Sequence, residues 1–293
     1  MLDLVIMCCA EYRSLLPGCL RSARQWIKDD IASVTVITNL PDLEIPGVRI
    51  IQDQDFWAML DADKLDDLYR ANWTRQQIFK LHLDLICSNP ILCVDTEVRW
   101  LGDFYAVTNP QTWYTVGPLY TNNYTRMINE LLGAQKFYHE SFITDCMLFL
   151  PHMLQKLRHD IEQKHQRPWL LVLNDLVKNP NLVLSEYELY ATWYRSQNQR
   201  MHIHNIGDQR FTMDQIGPDD DNLHRRARRL TTRPFISLSH YNTSWRGTET
   251  HWLTFYQQVR GPDWPDPVPE KDFEKLPEWV QRECIELHGY RRH

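Results

Sequence analysis

The stretch Ile91-Leu92-Cys93-Val94-Asp95-Thr96-Glu97 decides how this chain reads. Four apolar residues follow the stop signal Asn89-Pro90, which is the pattern of a strand buried on both faces. The run ends directly in two carboxylates one residue apart. In an open α/β sheet, ligands bind outside the carboxyl ends of the strands. Two acids so close repel each other, and burial raises their pKa values unless a cation neutralises them. A hard divalent cation with oxygen ligands does this, and Mg2+ or Mn2+ keeps positions open for substrate phosphates. Asp95 and Glu97 are therefore candidate metal ligands; the competing reading is an ordinary acidic pair in a loop.

Outward from this strand, Leu2 to Cys9 reads as a buried strand and Leu15 to Ile27 as an amphipathic helix. Ser33 to Asn39 is a second β-rich run, and Val48 to Ile51 a third. Strand, helix, strand at this spacing predicts a right-handed crossover and a parallel sheet. Asp61 to Cys87 reads as mainly helical, with Trp73, Gln77, Lys80, Leu81 and Asp84 on one stripe. Trp113 to Val116 is a further strand candidate, and Asp145 to Leu150 an apolar stretch. Met153 to Gln166 predicts a helix; Pro168 to Asn179 and Ser185 to Arg195 are helical or mixed. Arg200 to His204 and Arg233 to Leu238 are late strands. Pro262, Pro265, Pro267 and Pro269 mark a wrapping tail. The expected organisation is one α/β domain over residues 1–250, with a Pro-rich extension, 251–293, packing on it.

Composition narrows the classes. The chain has 293 residues, 43% hydrophobic and 24% charged, long enough to bury a core without disulfide or metal staples. Its 11 Trp, 13 Tyr and 10 Phe argue against intrinsic disorder. A net charge of −6 is not that of a duplex-binding protein, so nucleic acid is not an expected partner. The seven cysteines form no CxxC pair and sit largely in apolar runs, which reads as reduced, buried thiols in the cytoplasm. The sequons at Asn72, Asn123 and Asn242 then read as chance matches. The first seven residues lack a basic leader, and no apolar run is long enough to span a bilayer. The expected location is cytoplasmic, with peripheral contact to a membrane left open.

Three further stretches join the acidic strand: Trp73-Thr74-Arg75-Gln76-Gln77-Ile78-Phe79-Lys80-Leu81, Ser141-Phe142-Ile143-Thr144-Asp145-Cys146-Met147-Leu148-Phe149, and Ser185-Glu186-Tyr187-Glu188-Leu189-Tyr190. In order and spacing they resemble the W-x-x-Q-Q-x-x-K-L, S-F-[VI]-x-x-x-M-L-F and S-E-Y-E-L-Y blocks of a bacterial and phage group of GT-A fold glycosyltransferases. That group is still classed as a domain of unknown function. The departure is Glu97, where GT-A enzymes most often carry Asp. The resemblance implies an α/β, Rossmann-like GT-A fold with a mostly parallel central sheet flanked by helices. It implies metal-dependent transfer of a sugar from a nucleoside diphosphate donor to a hydroxyl acceptor, be that a saccharide, a glycolipid or a modified nucleobase. Mn2+ or Mg2+ would bridge the diphosphate and stabilise the leaving group.

Residue by residue, the resemblance gives Asp95 and Glu97 to the metal, with His240 as third ligand at the end of a short β-run and Trp245 beside the donor. It turns Arg75, Gln76, Gln77 and Lys80 toward the donor; the competing reading is a solvated helix face. The loop carrying Cys9, Tyr12 and Arg13 would grip the nucleotide, Tyr12 by stacking and Arg13 at phosphate. An inverting transfer needs a carboxylate to take the acceptor proton, for which Asp145, Glu186 and Glu188 are the candidates. Glu186 and Glu188 point about 200° apart on a helix but to one face on a strand, and one of them is expected to face the cleft. Glu186 is the expected base and Asp145 the expected donor or acceptor contact. His202 and His204 form an alternative metal pair, and His224-Arg225-Arg226-Ala227-Arg228-Arg229 is the basic cluster, suited to a diphosphate or an anionic acceptor. Two other readings compete: metal-dependent phosphoryl or nucleotidyl transfer or hydrolysis, and a non-catalytic sugar-binding relic of the fold.

Overall fold

The computed structural model describes residues 1–60, 71–107, 112–115, 122–134, 136, 141–179, 181–197, 199–205, 210–212, 222–231 and 234–239. In chain order its strands are β1 (Leu2–Cys8), β2 (Ile31–Thr38), β3 (Arg49–Gln52), β4 (Ile91–Asp95), β5 (Val98–Trp100), β6 (Thr112–Thr115), β7 (Cys146–Phe149), β8 (His202–Asn205), β9 (Arg210–Thr212) and β10 (Phe235–Ser239). Its helices are α1 (Leu16–Trp26), α2 (Asp53–Met59), α3 (Ala71–Lys80), α4 (Asn122–Leu132), α5 (Pro151–His165), α6 (Trp169–Leu176), α7 (Glu186–Ser196) and α8 (Leu223–Leu230). The central sheet runs β3-β2-β1-β4-β7; the first four strands are parallel and β7 is antiparallel to β4. Two small sheets, β5-β10-β9 and β6-β8, complete the strands among the described residues. The expected α/β class with a mostly parallel sheet flanked by helices is what the chain adopts.

The apolar runs are continuous because both faces of the sheet are covered. Val5, Met7, Ile91 and Cys93 face one layer, built from α2 to α7. Leu4, Ile6, Leu92 and Val94 face the other, built from α1 and the β5 sheet. Side chains alternate across a strand, so Asp95 follows Ile91 and Cys93 into the helical layer. Thr96 turns the other way, and its hydroxyl donates to the Met7 carbonyl at 2.5 Å, closing the end of β4 against β1.

Two elements escape the sequence pattern. The helix α2 follows β3 directly and buries only Phe56, too little for a 3.6-residue period to show. The strand β5 is three residues long and pairs antiparallel with β10, across more than a hundred residues. The expected long helix to Cys87 stops at Lys80 and is followed by a 3-10 turn at Leu83–Leu85, while residues 61–70 lie outside the described ones. Residues Met1–Asn242 form one compact unit; the Pro-rich extension lies outside the described residues. Six cysteines among the described residues are free thiols. No helix among the described residues is long and apolar enough to cross a membrane.

Candidate active site at the end of strand β4

One stripe of α3 carries Trp73, Gln76, Gln77 and Lys80, from half-buried to fully buried. Lys80 is 1% exposed. Its Nζ lies 2.9 Å from Asp95 Oδ1 and 2.9 Å from Glu186 Oε1. It also donates to the Tyr187 hydroxyl at 3.0 Å and stands 4.5 Å from that ring's centroid. Burial works against the ammonium, but Asp95 and Glu186 outweigh it and hold the Lys80 pKa well above its ordinary value. Burial likewise pushes the Glu186 carboxyl up, against the pull of Lys80. Gln76 Nε2 donates to Asp95 Oδ1 at 3.4 Å, and Gln77 Oε1 accepts from the Glu186 amide at 3.3 Å.

The second acid stands beside the first. The β4–β7 register ends at Val94 and Cys146, and the Asp95 amide donates to the Asp145 carbonyl at 2.9 Å. Asp145 is buried, with φ of 55°, a left-handed conformation that Asp tolerates better than most residues. Glu97 sits in the two-residue turn between β4 and β5, half-buried. Burial, then the charges of Asp95 and Asp145, push its carboxyl up to about 8. The charges of Asp95 and Asp145 thus act on Glu97 at the carboxyl edge of the sheet.

The first turn of α7 braces this group from behind. Ser185 caps the helix, its Oγ accepting from the Glu188 amide at 3.4 Å. Glu186 and Glu188 then project to opposite sides. Glu186 meets Lys80. Glu188 accepts from Ser141 Oγ at 2.8 Å and from the Phe142 amide at 3.0 Å, and its other oxygen lies 2.8 Å from Lys136 Nζ. Both glutamates are 1% exposed.

These positions correct part of the expected site. Lys80 is not on a solvated surface, because α7 packs over it and supplies a carboxylate and a phenol. Glu186 and Glu188 do not offer a base to a cleft, because each is buried against its own lysine. Gln77 is also buried, whereas Gln76 reaches Asp95 and Arg75 is exposed, its guanidinium 4.9 Å from the Trp57 ring centroid. The loop after β1 forms a 3-10 turn at Ala10–Leu15, and the Ala10 amide donates to Asn39 Oδ1 at 3.0 Å. Cys9 there is half-buried and Arg13 exposed, while half-buried Tyr12 packs against the cluster of Leu15, Leu101, Leu223 and Ala227. His202 is exposed on β8. His240, Trp245 and the His204 side chain lie outside the described residues. On α8, Leu223 and Ala227 are buried, Arg225 and Arg229 are exposed, and Arg228 Nε donates to the Leu101 carbonyl at 2.7 Å. The sequence reading missed Tyr187, Ser141 and Lys136 as partners. Two glutamates flanking a tyrosine in the first turn of a helix, all on an apolar background, were the signal.

The acidic side chains at this edge offer only oxygen atoms, and the Lys80 ammonium stands between Asp95 and Glu186. Among the described residues no group of three His, Cys, Asp or Glu side chains is gathered closely enough to hold a metal alone.

No family model matches the chain, and no curated protein does. Among solved structures the chain is similar to the galactosyltransferase LgtC in complex with donor and acceptor sugar analogues, with a TM-score of 0.41 and 13% identity, over 94% of this chain and 100% of that one. At that score the likeness decides neither function nor site. Membership in the bacterial and phage group is not shown.

Proposed function

We propose that the protein is a glycosyltransferase that moves a sugar from a nucleoside diphosphate donor to the hydroxyl of a saccharide or glycolipid acceptor. The observation that carries this reading is the acid group at the carboxyl edge of the sheet: Asp95 and Asp145 joined backbone to backbone, with Glu97 in the adjoining turn. Ligands of open α/β sheets bind at that edge. Asp95 and Glu97 would hold Mn2+ or Mg2+, which when bound supplies stabilisation of charge on the departing diphosphate. Asp145, whose carbonyl accepts from the Asp95 amide, would accept a hydrogen bond from a sugar hydroxyl and is the candidate to receive the acceptor proton. The loop of Cys9, Tyr12 and Arg13 lies at the same edge, where a nucleotide would be gripped. Calorimetric titration with UDP and GDP, with and without Mn2+, tests the reading. Binding should need the ion and should weaken on the order of tenfold or more in Asp95→Asn, as loss of a charged contact does. Equal binding by the variant, or indifference to Mn2+, would overturn it.

A further inference from the structure

Glu188 carries a buried charge that the proposed reaction does not use. It is 1% exposed, and Ser185 fixes its place in the first turn of α7. One oxygen, Oε1, accepts from the Ser141 hydroxyl at 2.8 Å and from the Phe142 amide at 3.0 Å. Ser141 Oγ in turn accepts from the Ile143 amide at 3.1 Å, so a single carboxylate oxygen organises three consecutive residues. The next residue, Thr144, is buried and donates its hydroxyl to the Cys146 carbonyl at 2.7 Å, across Asp145. Asp145, with its φ of 55°, is thus flanked by anchored residues on both sides. A strained backbone persists only where its surroundings over-determine it. A hydrogen bond to an ionised acceptor is roughly twice as strong as a neutral one, so a carboxylate suits that hold. Its charge is met at Oε2 by Lys136 Nζ, 2.8 Å away, so the hold does not leave a bare charge in the interior.

We propose that Glu188 is a positioning residue for Asp145. Through Ser141, Phe142 and Ile143 it holds the left-handed turn that sets Asp145 at the carboxyl edge of the sheet, with the Asp145 carbonyl on the Asp95 amide. Without that hold, residues 141–145 relax toward right-handed or extended backbone, where an aspartate rests at lower cost, and the Asp145 carboxylate loses its direction. Glu188 is itself too buried to meet a ligand and acts through the backbone alone. Lys136 balances the charge and takes no part in setting the turn. The use of Asp145 in sugar binding rests on the function proposed above; the hold on its backbone does not.

The test is amide hydrogen exchange of the full chain without ligand, read by nuclear magnetic resonance at the Asp95 amide, whose acceptor is the Asp145 carbonyl. The amides of the central strand β1 report global opening and serve as the reference. The proteins are wild type, Ser141→Ala, Glu188→Ala and Lys136→Met. In Ser141→Ala and Glu188→Ala the Asp95 amide should exchange about tenfold or more faster relative to that reference. The three-bond coupling between the Asp145 amide and Hα protons should shift with it, as φ leaves the left-handed region. In Lys136→Met the ratio should hold within about threefold, although the fold as a whole is weakened. A merely structural Glu188 predicts that all three variants speed Asp95 and β1 alike, and that result overturns the inference. Selective loss at Asp95 in Lys136→Met overturns it as well. Should Glu188→Ala fail to fold, Ser141→Ala decides alone, because an unchanged ratio in that variant contradicts the proposal. The measurement uses neither nucleotide nor ion, so its failure leaves the proposed function standing, and a failed UDP titration leaves the hold on Asp145 standing.

Discussion

Asp145 holds a backbone conformation that costs an ordinary L-residue roughly 1–2 kcal/mol, because Cβ crowds the neighbouring carbonyl. Strain of this kind persists where the surroundings over-determine it, and here the amide of Asp95 fixes the Asp145 carbonyl. Two substitutions separate backbone from side chain. Asp145→Gly should be about 1 kcal/mol more stable than Asp145→Ala in urea denaturation, since glycine accepts positive φ freely. Under the proposed function, both should lose a sugar contact equally in a binding assay. The apolar flanks of Asp145 drew notice to it in the sequence. The positive φ was illegible there, because it arises from the meeting of two strands fifty residues apart.

At the scale of the element, the first turn of α7 is a two-sided brace. Ser185→Ala removes the cap and should cost about 1 kcal/mol, read from the denaturation midpoint. Lys80→Met leaves two carboxylates facing each other in the interior and should cost about 3–5 kcal/mol, the range for breaking a buried ion pair from one side. The sequence reading left Glu186 and Glu188 on opposite sides of a helix or on one face of a strand, and the segment is the helix. It then assumed that one of them must face a cleft. The lysine that captures Glu186 lies more than a hundred residues earlier, and no local period reveals such a partner. Likewise, Lys80 fell on the same stripe as Trp73 and Gln77, but whether that stripe met water or another helix was decided by α7.

For the whole molecule, two titratable groups shape stability in opposite pH windows. His82 is neutral in the fold: burial, then Arg158, lower its pKa to about 4, with Nδ1 bonded to the Ile78 carbonyl at 2.9 Å and Nε2 accepting from Trp169 Nε1 at 3.2 Å. Its contribution is present above the ordinary value of 6.5 and is lost as pH falls toward 4. Glu97 acts the other way. With its pKa raised from 4.5 to about 8, its contribution is present below 4.5 and lost as pH rises through 8. Urea midpoints should therefore fall on both flanks, and Glu97→Gln should flatten the alkaline flank only. A bound dication would be expected to cancel that flank in wild type, because it favours the charged carboxylate. The sheet as a whole was legible from its apolar runs, since a strand covered on both faces advertises itself. The reversal of β7 was not, because four buried residues read the same in either direction. Yet that reversal has a lasting effect. Because β7 runs against β4, the spacing of Asp95 and Asp145 is written into a ladder of amides and not into any connecting loop. Loops around the edge can lengthen, shorten or change composition while the acidic pair keeps its gauge.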